Sequence, residues 1–217
     1  MEIELNPNPR EPYTMKLRDD FCTGTIDAPY SHLGLSAGID LSILAKETKN
    51  YTETRDDKKA RFAYADKMDM YGRALIGMVM KKHFPQAVFI QEFERFAHVD
   101  GYIKKTADTD LWDDANVFPV EIKVRDSDIR RSVYLQQKKV DWIMANNCAK
   151  GLRTFLWVFW QFSRKLTICD LCKATKTPSE IWDNSIEVDL STARVIDYEE
   201  ERLLLDKLIE DKKYGRI

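Results

Sequence analysis

The chain has 217 residues, 44% of them hydrophobic and 32% charged, and its formal net charge is −2 at pH 7. Those figures fit one large domain, or one domain with extensions, with enough chain to bury a sizeable core. They exclude a protein that is basic throughout, so any contact with nucleic acid must come from a local cluster. No apolar run is long enough to span a bilayer, and the opening MEIELNPNPREP lacks a charged-then-apolar leader pattern. The expectation is a cytoplasmic protein in a reducing compartment, with no membrane partner.

Residues 1–58 read as an extension, partly irregular. Three prolines fall in the first dozen positions, and Gly24, Pro29, Gly34 and Gly38 punctuate the next stretch. A short helix is expected near Ile39 to Ala45, then a polar linker from Lys46 to Lys59. His32 stands alone and reads as a surface or structural residue.

Ala60 to Phe84 is the strongest helical pattern, with Phe62, Ala65, Asp69, Gly72, Ile76 and Val79 at spacings of three and four and Pro85 as the stop. Gly72 lets the helix approach a neighbour closely. Asp69 interrupts the apolar face, and an unpaired buried carboxylate is costly. Either it sits at the rim and meets Arg73, or it leans over a sheet and takes part in a site. Asp66 is the second choice for that role.

Three strands come next: Val88 to Arg95, Ala97 to Lys104 and Val117 to Val124. The first carries polar groups on both faces, Glu92 and Glu94 among them, and reads as an edge. His98 shares the face of Asp100. The stretch from Thr106 to Asn116 holds Asp108, Asp110, Asp113 and Asp114 but lacks the ligand order of a calcium loop, so it reads as solvated. Alternation puts Glu121 and Lys123 on one face with Ile122 packed behind them. If the second and third strands pair, Asp100, Glu121 and Lys123 meet at one spot. Two carboxylates suit a hard divalent cation. A lysine beside them can orient water or stabilise charge on a phosphate.

Asp126 to Asn147 is expected to be one helix. Val133, Val140, Ile143 and Met144 form its buried side, Leu135 and Trp142 broaden it, and Gln136 and Gln137 lie among them. From Lys123 onward the basic residues Arg125, Arg130, Arg131, Lys138 and Lys139 face only Asp126 and Asp128. They are either a nucleic-acid-binding stretch or a solvated face. Arg153 to Trp160 suits a strand buried on both faces, with Lys165 to Lys173 as its hairpin partner. Cys22, Cys148, Cys169 and Cys172 are expected as plain thiols, because Cys169-Asp170-Leu171-Cys172 has no second close pair to complete a zinc site. A short strand at Ser185 to Leu190 and a charged helix from Tyr198 to Lys212 end the chain. The helix either packs on the core or serves a dimer contact.

Asp100 followed by Glu121-Ile122-Lys123 resembles the signature of the PD-(D/E)xK nuclease superfamily, although Val99 stands where a proline sometimes precedes the Asp. The order helix, three strands, helix, two strands is similar to that family's common core. The resemblance implies an α/β, restriction-endonuclease-like fold: a mixed β-sheet core flanked by helices over residues 59–176, with N-terminal (1–58) and C-terminal (177–217) extensions. It implies a metal-dependent nuclease using Mg²⁺ or Mn²⁺. Asp100, Glu121 and the Ile122 carbonyl would be ligands, Asp69 would complete the shell from the preceding helix, and Lys123 would position water. Gln136, about fifteen positions beyond Glu121, matches the spacing in Holliday-junction resolvases, where such a glutamine bonds a metal-bound water or a phosphate. DNA is the implied partner, and the alternative within enzymes is a resolvase-like homodimer cutting by DNA shape rather than sequence. Two other readings stand beside this one: a non-catalytic binding module on the same fold, and an unrelated α/β protein in which Glu121 and Lys123 merely pair on a sheet.

Overall fold

The computed structural model describes residues 30–35, 38–49, 57–91, 98–105 and 117–217. The chain is built around a six-stranded mixed sheet. A 3₁₀ turn at Ser31–Leu33 and helix α1 (Leu41–Ala45) come first. Helix α2 (Lys58–His83) is next, then strands β1 (Ala87–Gln91), β2 (Gly101–Lys105) and β3 (Val117–Arg125). After them come β4 (Ser132–Gln136), α3 (Gln137–Asn146), β5 (Phe155–Trp160) and β6 (Lys165–Asp170). The last elements are β7 (Lys176–Pro178), β8 (Ser185–Asp189), β9 (Arg194–Asp197) and α4 (Glu199–Lys213). The main sheet runs β1-β2-β3-β5-β6-β9, and β4-β8-β7 form a second, smaller sheet. Among the described residues all pairings are antiparallel except β3 with β5, which are parallel and joined through β4 and α3. A parallel pair needs such a crossover. This is the α/β fold expected, a mixed sheet flanked by helices.

Local chemistry sets the helix ends. Asp57 caps α2 by accepting from the Ala60 N–H at 3.0 Å, and Lys81, Lys82 and His83 occupy its last turn, where the helix dipole favours cations. Helix α4 has Glu199, Glu200 and Glu201 in its first turn and Lys212 and Lys213 in its last. It packs on the core through Leu205 and Leu208, and Tyr71 of α2 donates a hydrogen bond to its Asp206 at 2.8 Å.

The two faces of the sheet carry different cores. One joins Val120, Ile122, Trp157 and Phe159 to α2 and α4; the other joins Leu156, Val158 and Trp160 to β4, α3 and β8. Strand β5 is buried on both faces, as its near-continuous apolar run implies. Gly72 is where α2 rests on β3. A Cβ there would lie 2.8 Å from Ile122 Cγ2, so the close approach read from the sequence is present.

Three expectations change. Residues 126–147 are not one helix: 132–136 is a strand, and only 137–146 is helical. Ser-Val-Tyr-Leu-Gln alternates, burying Val133 and Leu135, and β8 offers a full ladder to it. Strand β9 comes from the part assigned to a C-terminal extension, yet it forms an edge of the main sheet. Cys148 and Cys172 are disulfide-bonded rather than thiols, because the turn after β6 carries Cys172 off the strand and onto the 3₁₀ turn at Cys148–Lys150. Cys169 is free and buried. The readings of residues 1–29, Cys22, Glu92 to Ala97 and the acidic stretch at 106–116 lie outside the described residues. Among the described residues no helix is long and apolar enough to cross a membrane.

Candidate active site

Strand β3 places the two halves of the site. It pairs with β2 only as far as Val120, whose carbonyl takes the Asp100 N–H at 2.8 Å. Beyond that point β2 has turned away, and the Asp100 carboxylate fills the gap by accepting the Ile122 N–H at 2.6 Å. In a strand the N–H and C=O of one residue point to the same side. The Ile122 carbonyl is thus directed to the side where Asp100 lies.

Glu121 and Lys123 point the other way from Ile122, toward α3. The Glu121 side chain is fully buried, between strands and the first turn of α3. The Lys123 ammonium contacts one of its oxygens, and the Lys139 ammonium from α3 contacts the other at 2.5 Å. Lys139 also lies 3.5 Å from Asp100 Oδ1, so one cation touches both carboxylates. Arg73 of α2 closes the third side. It donates to the Asp100 carbonyl at 2.6 Å, and its guanidinium lies 3.6 Å from Asp100 Oδ1.

The electrostatics follow from burial and this ring of cations. Burial alone would raise the Asp100 carboxyl, but Lys123, Lys139, the Ile122 N–H and Arg73 together hold it below the usual aspartate value. Burial lifts Glu121 above the ordinary glutamate value, with Asp100 adding to the rise against the pull of the two lysines. Burial opposes the charge on Lys123, yet Glu121 and Asp100 outweigh it and raise its pKa.

Not every expected residue arrives. Asp69 is on α2, which packs on the Ile122 face of the sheet, opposite to Glu121. It is half exposed and paired with Arg73 at 2.7 Å, the rim alternative. It reaches Asp100 only through that arginine. Gln136 is the exposed last residue of β4, outside the turn of α3 that faces the site. With 132–136 a strand, Gln136 ends β4 instead of lying on the helix where it was expected. Gln137 bonds Asp141 at 3.4 Å. Among the basic residues, Arg130, Arg131 and Lys138 are exposed, while Arg125 donates to the Tyr134 carbonyl at 3.2 Å and so ties β3 to β4. Lys139, expected to face nucleic acid, is in the centre. Its signal was present: reading SVYLQ as a strand starts the helix at Gln137 and puts Lys139 in its first turn. Beside it the His98 ring stacks on Trp142 at 4.3 Å.

Among the described residues no group of three or more His, Cys, Asp and Glu side chains gathers as a metal cluster. Asp100 and Glu121 nevertheless fit a hard cation. Among the described residues, both Glu121 oxygens are buried with no well-aligned hydrogen bond and meet two ammonium groups. Those contacts still neutralise the carboxylate, because an ammonium acts as a point charge and needs no lone-pair geometry. Carboxylate oxygens of this kind are the donors that Mg²⁺ takes.

No family model matches the chain, and no curated protein matches it. Among solved structures it is similar to Hjc, a Holliday junction resolvase from Archaeoglobus fulgidus, at 12% identity and a TM-score of 0.40, covering 58% of this chain and 92% of that one. So slight a likeness transfers neither residues nor activity.

Proposed function

We propose that the protein is a metal-dependent nuclease of the PD-(D/E)xK type, hydrolysing phosphodiester bonds in DNA. The observation that carries the reading is the convergence of Asp100, Glu121 and Lys123 at the point where β2 leaves β3, with the carboxylates shielded from water. Asp100, Glu121 and the Ile122 carbonyl would hold Mg²⁺ or Mn²⁺. When bound, such an ion supplies Lewis-acid stabilisation of charge on the phosphate. Lys123 would act as an ammonium, orienting the attacking water and donating to a phosphate oxygen as charge builds there. Arg73 would fix the Asp100 backbone and so the angle of its carboxylate. Arg130, Arg131 and Lys138, all exposed, would meet the backbone of the nucleic acid.

The test is cleavage of plasmid, linear and branched DNA with Mg²⁺, Mn²⁺ or EDTA, comparing wild type with Lys123→Ala and Asp100→Asn. Metal-dependent cutting absent in both variants is expected. Equal cutting by the variants would place the chemistry elsewhere. A preference for branched substrate by a dimer would make the enzyme structure-specific. A second reading has one observation in its favour. Three cationic side chains surround two carboxylates, a balance that suits a phosphate. A non-catalytic binding module would hold DNA in EDTA and cut nothing.

A further inference from the structure

Two buried carboxylates side by side cannot both stay ionised without a counter-cation. Here three cationic side chains serve. Adding a divalent ion to that set would overfill the site with positive charge, so one of the three must leave. Arg73 is pinned, because it also bonds the Asp100 carbonyl and pairs with Asp69. Lys123 contacts one oxygen of Glu121 and so does not stand between the two acids. Lys139 differs. Its ammonium stands between both carboxylates, where a divalent ion would sit, and its flexible four-carbon chain can redirect that ammonium to solvent.

We infer that Lys139 is a tethered stand-in for the metal: its ammonium occupies the cation position between Asp100 and Glu121, and binding of a divalent ion expels it. This deepens the nuclease reading and rests on it. The observation behind it is separate, namely that one ammonium touches both carboxylates, at 2.5 and 3.5 Å. The arrangement has two consequences. The empty site is held together without metal, and metal binds more weakly than the donor set alone would allow. The displaced ammonium would then be free to pair with a phosphate oxygen of the substrate.

The experiment is Mn²⁺ binding to the full chain at fixed pH, read by calorimetry or by the paramagnetic resonance of free Mn²⁺, for wild type, Lys139→Gln, Lys139→Met and Lys139→Arg. The neutral variants are expected to bind ~10-fold or more tightly than wild type, since each removes a competing unit charge within contact distance. The arginine variant, still cationic, is expected to stay weak. Equal or weaker binding by both neutral variants would overturn the inference while leaving a metal site in place. Absence of Mn²⁺ binding in every protein would overturn the nuclease reading as well. Should the neutral variants fold poorly, wild type supplies a second measurement. Acetylation of Lys139 by an amine-reactive ester, followed by mass spectrometry, is expected to rise several-fold when Mg²⁺ is added. No rise would refute displacement.

Discussion

Gly72→Ala tests whether the seat of α2 on β3 sets the geometry of the site. The added methyl would lie 2.8 Å from Ile122 Cγ2 and 3.0 Å from Val124 Cγ2. Both neighbours are β-branched and cannot rotate aside freely. Overpacking of this kind costs about 1–3 kcal/mol, and the better helix propensity of Ala returns about 1 kcal/mol. The net loss of stability is therefore small, ~0–2 kcal/mol by urea titration. The larger effect is expected on catalysis, because pushing β3 away from α2 moves Glu121 and Lys123 relative to Asp100. A displacement near 1 Å at such a site costs on the order of 100-fold in rate. Gly77→Ala is the control. Its methyl would meet the Gly34 carbonyl oxygen at 2.2 Å, a backbone clash on the same helix but away from β3. It should cost more stability and leave cleavage per folded molecule near wild type. If Gly72→Ala cut DNA as fast as wild type, or if Gly77→Ala lost as much activity, the reasoning would fail.

Other expectations concern stability and titration. Glu121→Gln removes the acid between two lysines. Breaking a fully buried pair costs about 3–5 kcal/mol, but Lys123 and Lys139 are 26% and 19% exposed and can turn to water, so ~1–3 kcal/mol is expected after that discount, read as a lowered urea midpoint. The Cys148–Cys172 bond closes a loop of 24 residues; reduction, or Cys148→Ser, should cost up to ~3 kcal/mol, and an unchanged midpoint would mean that the bond adds nothing. The Cys169 thiol, pushed by burial up to about 11, should resist alkylation at pH 8 in the folded protein and react in urea. Burial and then Lys139 lower the His98 pKa below its ordinary 6.5. The unfolded chain then takes up this proton more readily than the fold, so stability falls as pH drops below about 6.5. An NMR titration placing His98 at or above that value would contradict the stack and its cationic neighbour.

What the sequence disclosed and what it hid have a common physical cause. Helix α2, strands β3 and β5 and the hairpin to β6 were legible because each carries its own periodicity over many residues. Glu121 and Lys123 were legible because alternation within one strand fixes their face. Asp69 and Lys139 were not, because each belongs to a helix whose rotation about its axis is set by contacts far away in the chain. Asp69 was expected in the centre and is held at the rim by Arg73. Lys139 was expected on the surface and lies in the centre, since β8, some fifty residues on, captures 132–136 as a strand and delays the start of α3. Arg73 was read only as a partner for Asp69, yet it spans to the Asp100 backbone.

That exchange of roles bears on the chemistry. A helix carboxylate joining Asp100 and Glu121 would make the centre strongly anionic and hungry for metal. Lys139 in that place makes it self-neutralised. The expected phenotype differs accordingly. A three-carboxylate centre should be destabilised by EDTA. This site, with its own ammonium bridging both acids, should show the same thermal midpoint in EDTA and in buffer without added metal, and only a modest rise with millimolar Mn²⁺. A large loss of stability in EDTA would mean that further ligands complete the centre and that the two lysines do not suffice to hold Asp100 and Glu121 together.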